Sequence, residues 1–167
     1  MTSPTTPTTP TSPTSEPALP TRPDDAADGA LFDAVATEHA TIYGYGLVSA
    51  HSTFDRNYLV ADAMDEHRTR REAAITILEE REVDRPLPAA GYSMPMEVDT
   101  PADAANLAVT MEQDAATAWR AVVEQASEET VRAFGVTALT ECAVTAARWR
   151  RIRGDTATTV AFPGGTE

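Results

Sequence analysis

Four stretches of the chain repeat apolar side chains at spacings of three and four residues, and no stretch of similar length alternates them. That period is helical, and amphipathic helices bury their apolar faces by packing on one another. The first stretch covers residues 29–52, with Leu31, Val35, Ile42 and Tyr45 in one stripe flanked by Phe32, Ala36 and Tyr43. The second covers residues 57–82, where Val60, Ala63, Met64, Ala74 and Leu78 share a face. The third opens at Thr100, with Pro101 in the first helical position and Asp103 in the first turn, a strong start signal. Its stripe is Ala104, Leu107, Met111, Ala115, Ala118 and Val122, with Trp119 beside it. The fourth opens at Ser127 and carries Val131, Phe134, Ala138, Cys142, Thr145, Trp149 and Ile152 on one face. Gly44 and Gly46 lie inside the first helix, where glycine costs about 1 kcal/mol against alanine. They point to a close helix contact or a kink. A short extended run is expected near residues 158–162.

The connections decide how the helices are ordered. A few residues join the first pair and fewer still join the last pair, so each pair is an antiparallel hairpin. Between them, residues 83–99 are rich in proline. A helix of about 25 residues is about 37 Å long, and extended chain covers about 3.3 Å per residue. This connection can therefore run the length of the bundle. The expected fold is all-α: an antiparallel four-helix bundle, ferritin-like, with one long crossover between helices 2 and 3.

Ahead of the helices, Pro recurs at 4, 7, 10, 13, 17, 20 and 23 among Thr and Ser. Such a segment has no apolar face to bury and is expected to be disordered. The division expected is a tail over residues 1–27 and the bundle over residues 28–167.

The chain has 13 basic residues, all Arg, against 26 Asp and Glu, for a net charge of −13. A surface this acidic repels phosphate, so neither nucleic acid nor an anionic membrane is an expected partner. The lack of lysine excludes Schiff-base and P-loop chemistry. No apolar run is long enough to span a bilayer. The lone Cys142 suits a reducing compartment, and a cytoplasmic location is expected.

The segments EHATIYGYG (38–46), HRTRRE (67–72), YSMPMEVDTPADA (92–104), AVTAARWR (143–150) and AFPG (161–164) together resemble a family of small, Ala-rich bacterial proteins. That family is classed as ferritin-like and known as a domain of unknown function. The resemblance covers nearly all of the chain after the tail. It implies the fold already reached from periodicity and brings no activity with it.

A ferritin-like bundle raises the question of a metal centre. Di-iron bundles use one Glu on each of two helices and a Glu-x-x-His on each of the other two. The candidates here are Glu38 on the first stripe, Glu66 and His67 on the second helix, Glu112 near the edge of the third stripe, and Glu141 near the edge of the fourth. Iron or manganese is the ion such a set would take. The set departs from the pattern, because no Glu-x-x-His occurs and the fourth helix has no His. Glu66 and His67 are neighbours that point about 100° apart. Arg70 and Arg71 flank His67 and would repel a cation. The competing expectation is internal pairing of Glu38 with Arg71 and of Glu141 with Arg148, around a hydrogen-bonded His67.

Other residues read as structure. Tyr43, Tyr45, Trp119 and Trp149 are expected in the core, Cys142 as a buried thiol, and Arg148, Arg150, Arg151 and Arg153 as a solvated helix end complementing the dipole. A ligand pocket lined by Tyr43, Tyr45, Met94, Met96 and Trp119 under the crossover is a further expectation. Function is left between two main readings. One is a non-catalytic interaction or scaffold protein, expected to form a homo-oligomer or bind a protein partner. The other is a metal-binding oxidoreductase or metal-storage protein.

Overall fold

Side chains set the helix ends. The structure, a computed structural model, describes residues 19–165. Residues 1–18 of the expected tail lie outside the described part. Asp25 caps the first helix by accepting from the amides of Ala27 and Asp28, so α1 (Ala26–His51) begins a turn earlier than its apolar stripe. Arg22, ahead of it, pairs with Asp33 at 2.8 Å. A 3-10 turn (Phe54–Arg56) leads into α2 (Asn57–Glu80). That helix closes where Glu82 takes a left-handed φ of 57° and the Val83 amide donates to Leu78. α3 (Pro101–Gln125) starts with a reciprocal capping box between Thr100 and Asp103. α4 (Glu129–Arg153) starts two residues later than Ser127 and ends at Gly154, whose φ of 88° suits glycine. Among the described residues there is no strand, and residues 158–162 form none.

Cross-helix contacts give the directions. Arg81 on the residue after α2 pairs with Asp28 of α1, and Arg70 meets Glu38, so α1 and α2 are antiparallel. Tyr45 faces Glu112 while Glu38 faces Trp119, so α1 and α3 are antiparallel too. Trp119 packs edge-on against Phe134, and Asn106 meets Arg153, which makes α3 and α4 a hairpin. The chain thus forms a four-helix bundle in which a long crossover returns the chain before α3. Along the end of that crossover Tyr92, Met94, Met96 and Val98 alternate inward, and the last three pack on the core. Gly44 makes room there, since a Cβ would stand 2.1 Å from Met111 Sδ. Gly46 faces open space, and only Gly44 marks a close contact.

The core has two apolar halves. One joins Leu31, Val35, Leu78, Trp119, Val122, Val131 and Ala138. The other joins Tyr45, Val48, Leu59, Val60, Leu107, Met111 and Trp149. Between them, at mid-height, lies a layer of buried polar side chains. Among the described residues, no helix is long and apolar enough to cross a membrane.

Candidate functional site: a buried ionic layer

The layer is built from all four helices. Glu38 of α1, His67 and Arg70 of α2, and Glu112 of α3 are each at most 4% exposed. α4 contributes Cys142 and Trp149. On α2, Ala63, His67, Arg70, Ala74 and Leu78 follow the helical repeat, which brings both basic side chains inward.

His67 is the hub. Its Nδ1 is 2.6 Å from Glu38 Oε2 and its Nε2 is 3.1 Å from Glu112 Oε1. The two ring nitrogens point apart, so the carboxylates flank the imidazole on opposite edges. Glu38 Oε1 also accepts from the Trp119 indole at 2.6 Å and from Arg70 at 3.3 Å. Glu112 Oε1 accepts from the Tyr45 hydroxyl, which itself accepts from the Trp149 indole at 3.1 Å. Arg70 also reaches Cys142 Sγ at 2.9 Å and Glu141 at 3.3 Å. Among the described residues, Arg70 Nε and Glu112 Oε2 of the layer have no hydrogen-bond partner.

Burial alone would neutralise such groups. It would lower His67, but the hydrogen bonds to Glu112 and Glu38, and then their charges, lift it to about 9. His67 is therefore a cation at neutral pH, donating from both nitrogens. Burial would raise the Glu38 carboxyl, yet the His67 hydrogen bond and the charges of His67 and Arg70 hold it below its ordinary value. Burial first, and then the Glu112 charge, push the Tyr45 hydroxyl and the Cys142 thiol well up. Both stay protonated. Carboxyl and basic side chains thus pair with one another within the layer, which makes their burial tolerable.

The expected metal candidates divide. Glu38, His67 and Glu112 meet in the layer, and Glu112, expected near the stripe's edge, is fully buried. Glu141 approaches through Arg70 with its side chain 46% exposed. Glu66 is partly buried, its carboxyl raised first by burial and then by the charge of Glu141. Among the described residues, no group of three or more His, Cys, Asp and Glu side chains is arranged to hold a metal ion.

Several expectations are corrected. Glu38 pairs with Arg70; Arg71 turns outward to Glu72, because the stripe through His67 continues at the third residue rather than the fourth. Glu141 pairs with Arg70 and not Arg148. Tyr43 is 46% exposed and stacks on Tyr92 of the crossover, whereas Tyr45, Trp119 and Trp149 are core. The five residues expected to line one pocket do not: Met94 lines a groove with Tyr92 and Met111, while Tyr45 and Trp119 are sealed in the interior. Arg150, expected in solvent, is 7% exposed. The hydrogen-bonding roles of Arg70, Tyr45, Trp119 and Trp149 were missed; only the i, i+3 spacing of His67 and Arg70 signals one of them.

Residues 30–167 match the family model described as a domain of unknown function (DUF4439). The crystal structure of a conserved hypothetical protein from Mycobacterium tuberculosis is similar at 57% identity and a TM-score of 0.76. The match covers 78% of this chain and 98% of that one. No curated protein matches the chain.

Proposed function

The chain belongs to the DUF4439 family, and from that premise and the geometry of the core we propose a non-catalytic, metal-independent bundle that works through binding and assembly. The commitment of His67 carries the reading. A metal takes a neutral imidazole with a free nitrogen and free carboxylates, whereas both ring nitrogens of His67 are engaged, one by Glu38 and one by Glu112. Arg70 adds a second positive charge beside Glu38. This donor set does not suit a di-metal centre, which needs two Glu-x-x-His pairs. Tyr45 and Cys142, both held protonated, supply neither an activated base nor a nucleophile.

One observation favours the other reading, an iron- or manganese-dependent oxidoreductase or storage protein. Glu38, His67 and Glu112 lie in one layer, with Glu66 and Glu141 at its margin. That reading requires Arg70 to leave and Glu141 to turn inward. Untagged protein, equilibrated with Fe²⁺, Mn²⁺ or Zn²⁺ and desalted, is expected to retain no stoichiometric metal by elemental analysis. One or two ions per chain, lost in Glu38→Ala, would overturn the proposal.

Self-association belongs to the same reading. Phe54 in the 3-10 turn and Tyr58 in the first turn of α2 are 90% and 67% exposed. A strict monomer by sedimentation at high micromolar concentration would count against it. A cytoplasmic location goes with the single buried thiol.

A further inference from the structure

Beyond the ionic layer, a second feature joins α3, α4 and the tail. After Gly154 the chain turns back, and residues 160–165 roof a cavity of about 180 Å³ between α3 and α4. Glu112, Ala116, Ala143, Ala146 and Arg150 line it beneath the roof. The roof is fitted to its place. Gly164 has a φ of 73°, and a Cβ there would stand 2.6 Å from the Ala116 carbonyl oxygen. Arg150 holds the Thr158 carbonyl at 3.3 Å.

The hydrogen bonding at this cavity is incomplete. Glu112 is 1% exposed, and its Oε1 is taken by Tyr45 and His67, while Oε2 has no partner. A buried acceptor left unmade is costly, and more so when it is charged. Arg150 is buried and donates to the Thr158 carbonyl; among the described residues no carboxylate stands within ion-pair distance of it, although its charge reaches Asp155. Trp119 faces Phe134 and Asn106 meets Arg153, which sets Glu112 near the height of Val144. Arg150 lies six residues on, about 9 Å along the axis, and a helical side chain leans toward the N-terminus, back toward that height. A carboxylate with one oxygen left without a partner and a buried guanidinium therefore both line one small cavity.

We propose that this cavity binds a small zwitterion of the amino-acid class, its ammonium group toward Glu112 Oε2 and its carboxylate toward Arg150. A volume of about 180 Å³ is slightly above that of an apolar cavity of about 150 Å³ that holds benzene. That suits a ligand of about six heavy atoms, the size of alanine or β-alanine. The inference rests on the proposed function in one respect, that Glu112 is not a metal ligand.

The test is isothermal titration of the full chain, treated with a chelator, against glycine, L-alanine, β-alanine and γ-aminobutyrate. Propionate and propylamine serve as single-charge controls. At least one zwitterion is expected to bind at least about tenfold more tightly than both controls, because each charged hydrogen bond is worth about 1.5–3 kcal/mol. Arg150→Gln is expected to lower that affinity about tenfold or more by the same reckoning. Ala143→Leu fills the cavity without touching the ionic layer and is expected to abolish binding, with the helical circular dichroism retained. Failure of every zwitterion to bind would overturn the proposal. So would equal binding of propionate, or binding that survives both substitutions. Metal content, measured separately, decides the proposed function, and the two can fail independently.

Discussion

The two sides of the ionic layer are differently finished. On the α1 side, Glu38 has both oxygens engaged, by His67 on one and by Trp119 and Arg70 on the other. On the α3 side, Glu112 has one oxygen shared by Tyr45 and His67, while the other has no partner among the described residues and belongs to a residue lining the roofed cavity. Both carboxylates are equally buried. Burial alone therefore does not tell a structural charge from one available to a ligand; the count of satisfied oxygens does. A complete shell fixes how the helices pack, and an incomplete one leaves chemistry for something else to supply.

Removing the hub removes the comparison. His67→Leu leaves two buried carboxylates without their shared cation, and the expected loss is about 3–5 kcal/mol in chemical denaturation. Domains of this kind have about 5–15 kcal/mol in total, so a molten or unfolded product at 37 °C would agree. A loss under about 1 kcal/mol would mean that the imidazole is not charged in the fold.

The pH dependence is expected to be nearly as large. His67 is raised from 6.5 to about 9 on folding. Its contribution is fully present below pH 6.5 and is lost as pH rises through about 9. Unfolding free energy should therefore fall across that window, by on the order of 3 kcal/mol. Glu38 is lowered on folding, so its contribution is present above pH 4.5 and is lost as pH falls below that. Stability should be greatest between about pH 5 and 6.5. A stability that rises from pH 7 to 9 would contradict the layer as described.

The sharpest version of the comparison uses one substitution on each side. Glu38→Gln sets an amide donor against Trp119, Arg70 or His67, all donors, and is expected to cost about 3 kcal/mol. Glu112→Gln also removes a charge beside His67, but it keeps an acceptor for Tyr45 and His67 and sets its NH₂ against no donor, so the expected cost is smaller, about 2 kcal/mol. Equal losses in urea titrations of the two variants would break the distinction.

The fold was legible because its determinants are local. Helical period, the Thr100 capping box and the contrast between short turns and the proline-rich crossover give four helices and their order. The layer was legible in part. Glu38 and His67 sit on apolar stripes, so their burial follows from spacing. Arg70 and Arg71 are adjacent, and choosing the partner of Glu38 needs the phase of α2 to within one residue. An aromatic on a core stripe looks the same whether or not its polar tip is used, so the roles of Tyr45, Trp119 and Trp149 could not be read. The cavity depends on the tail beyond Gly154, which has no period to report where it returns.

The central claim is that His67 is an imidazolium held between two carboxylates. It is tested most directly by ¹⁵N NMR of the imidazole nitrogens in the full chain, titrated from pH 5 to 10. The structure predicts that both nitrogens of His67 remain protonated at pH 7 and titrate near 9. A neutral ring at pH 7, with one nitrogen unprotonated, would contradict it and return His67 to the residues free to bind a metal.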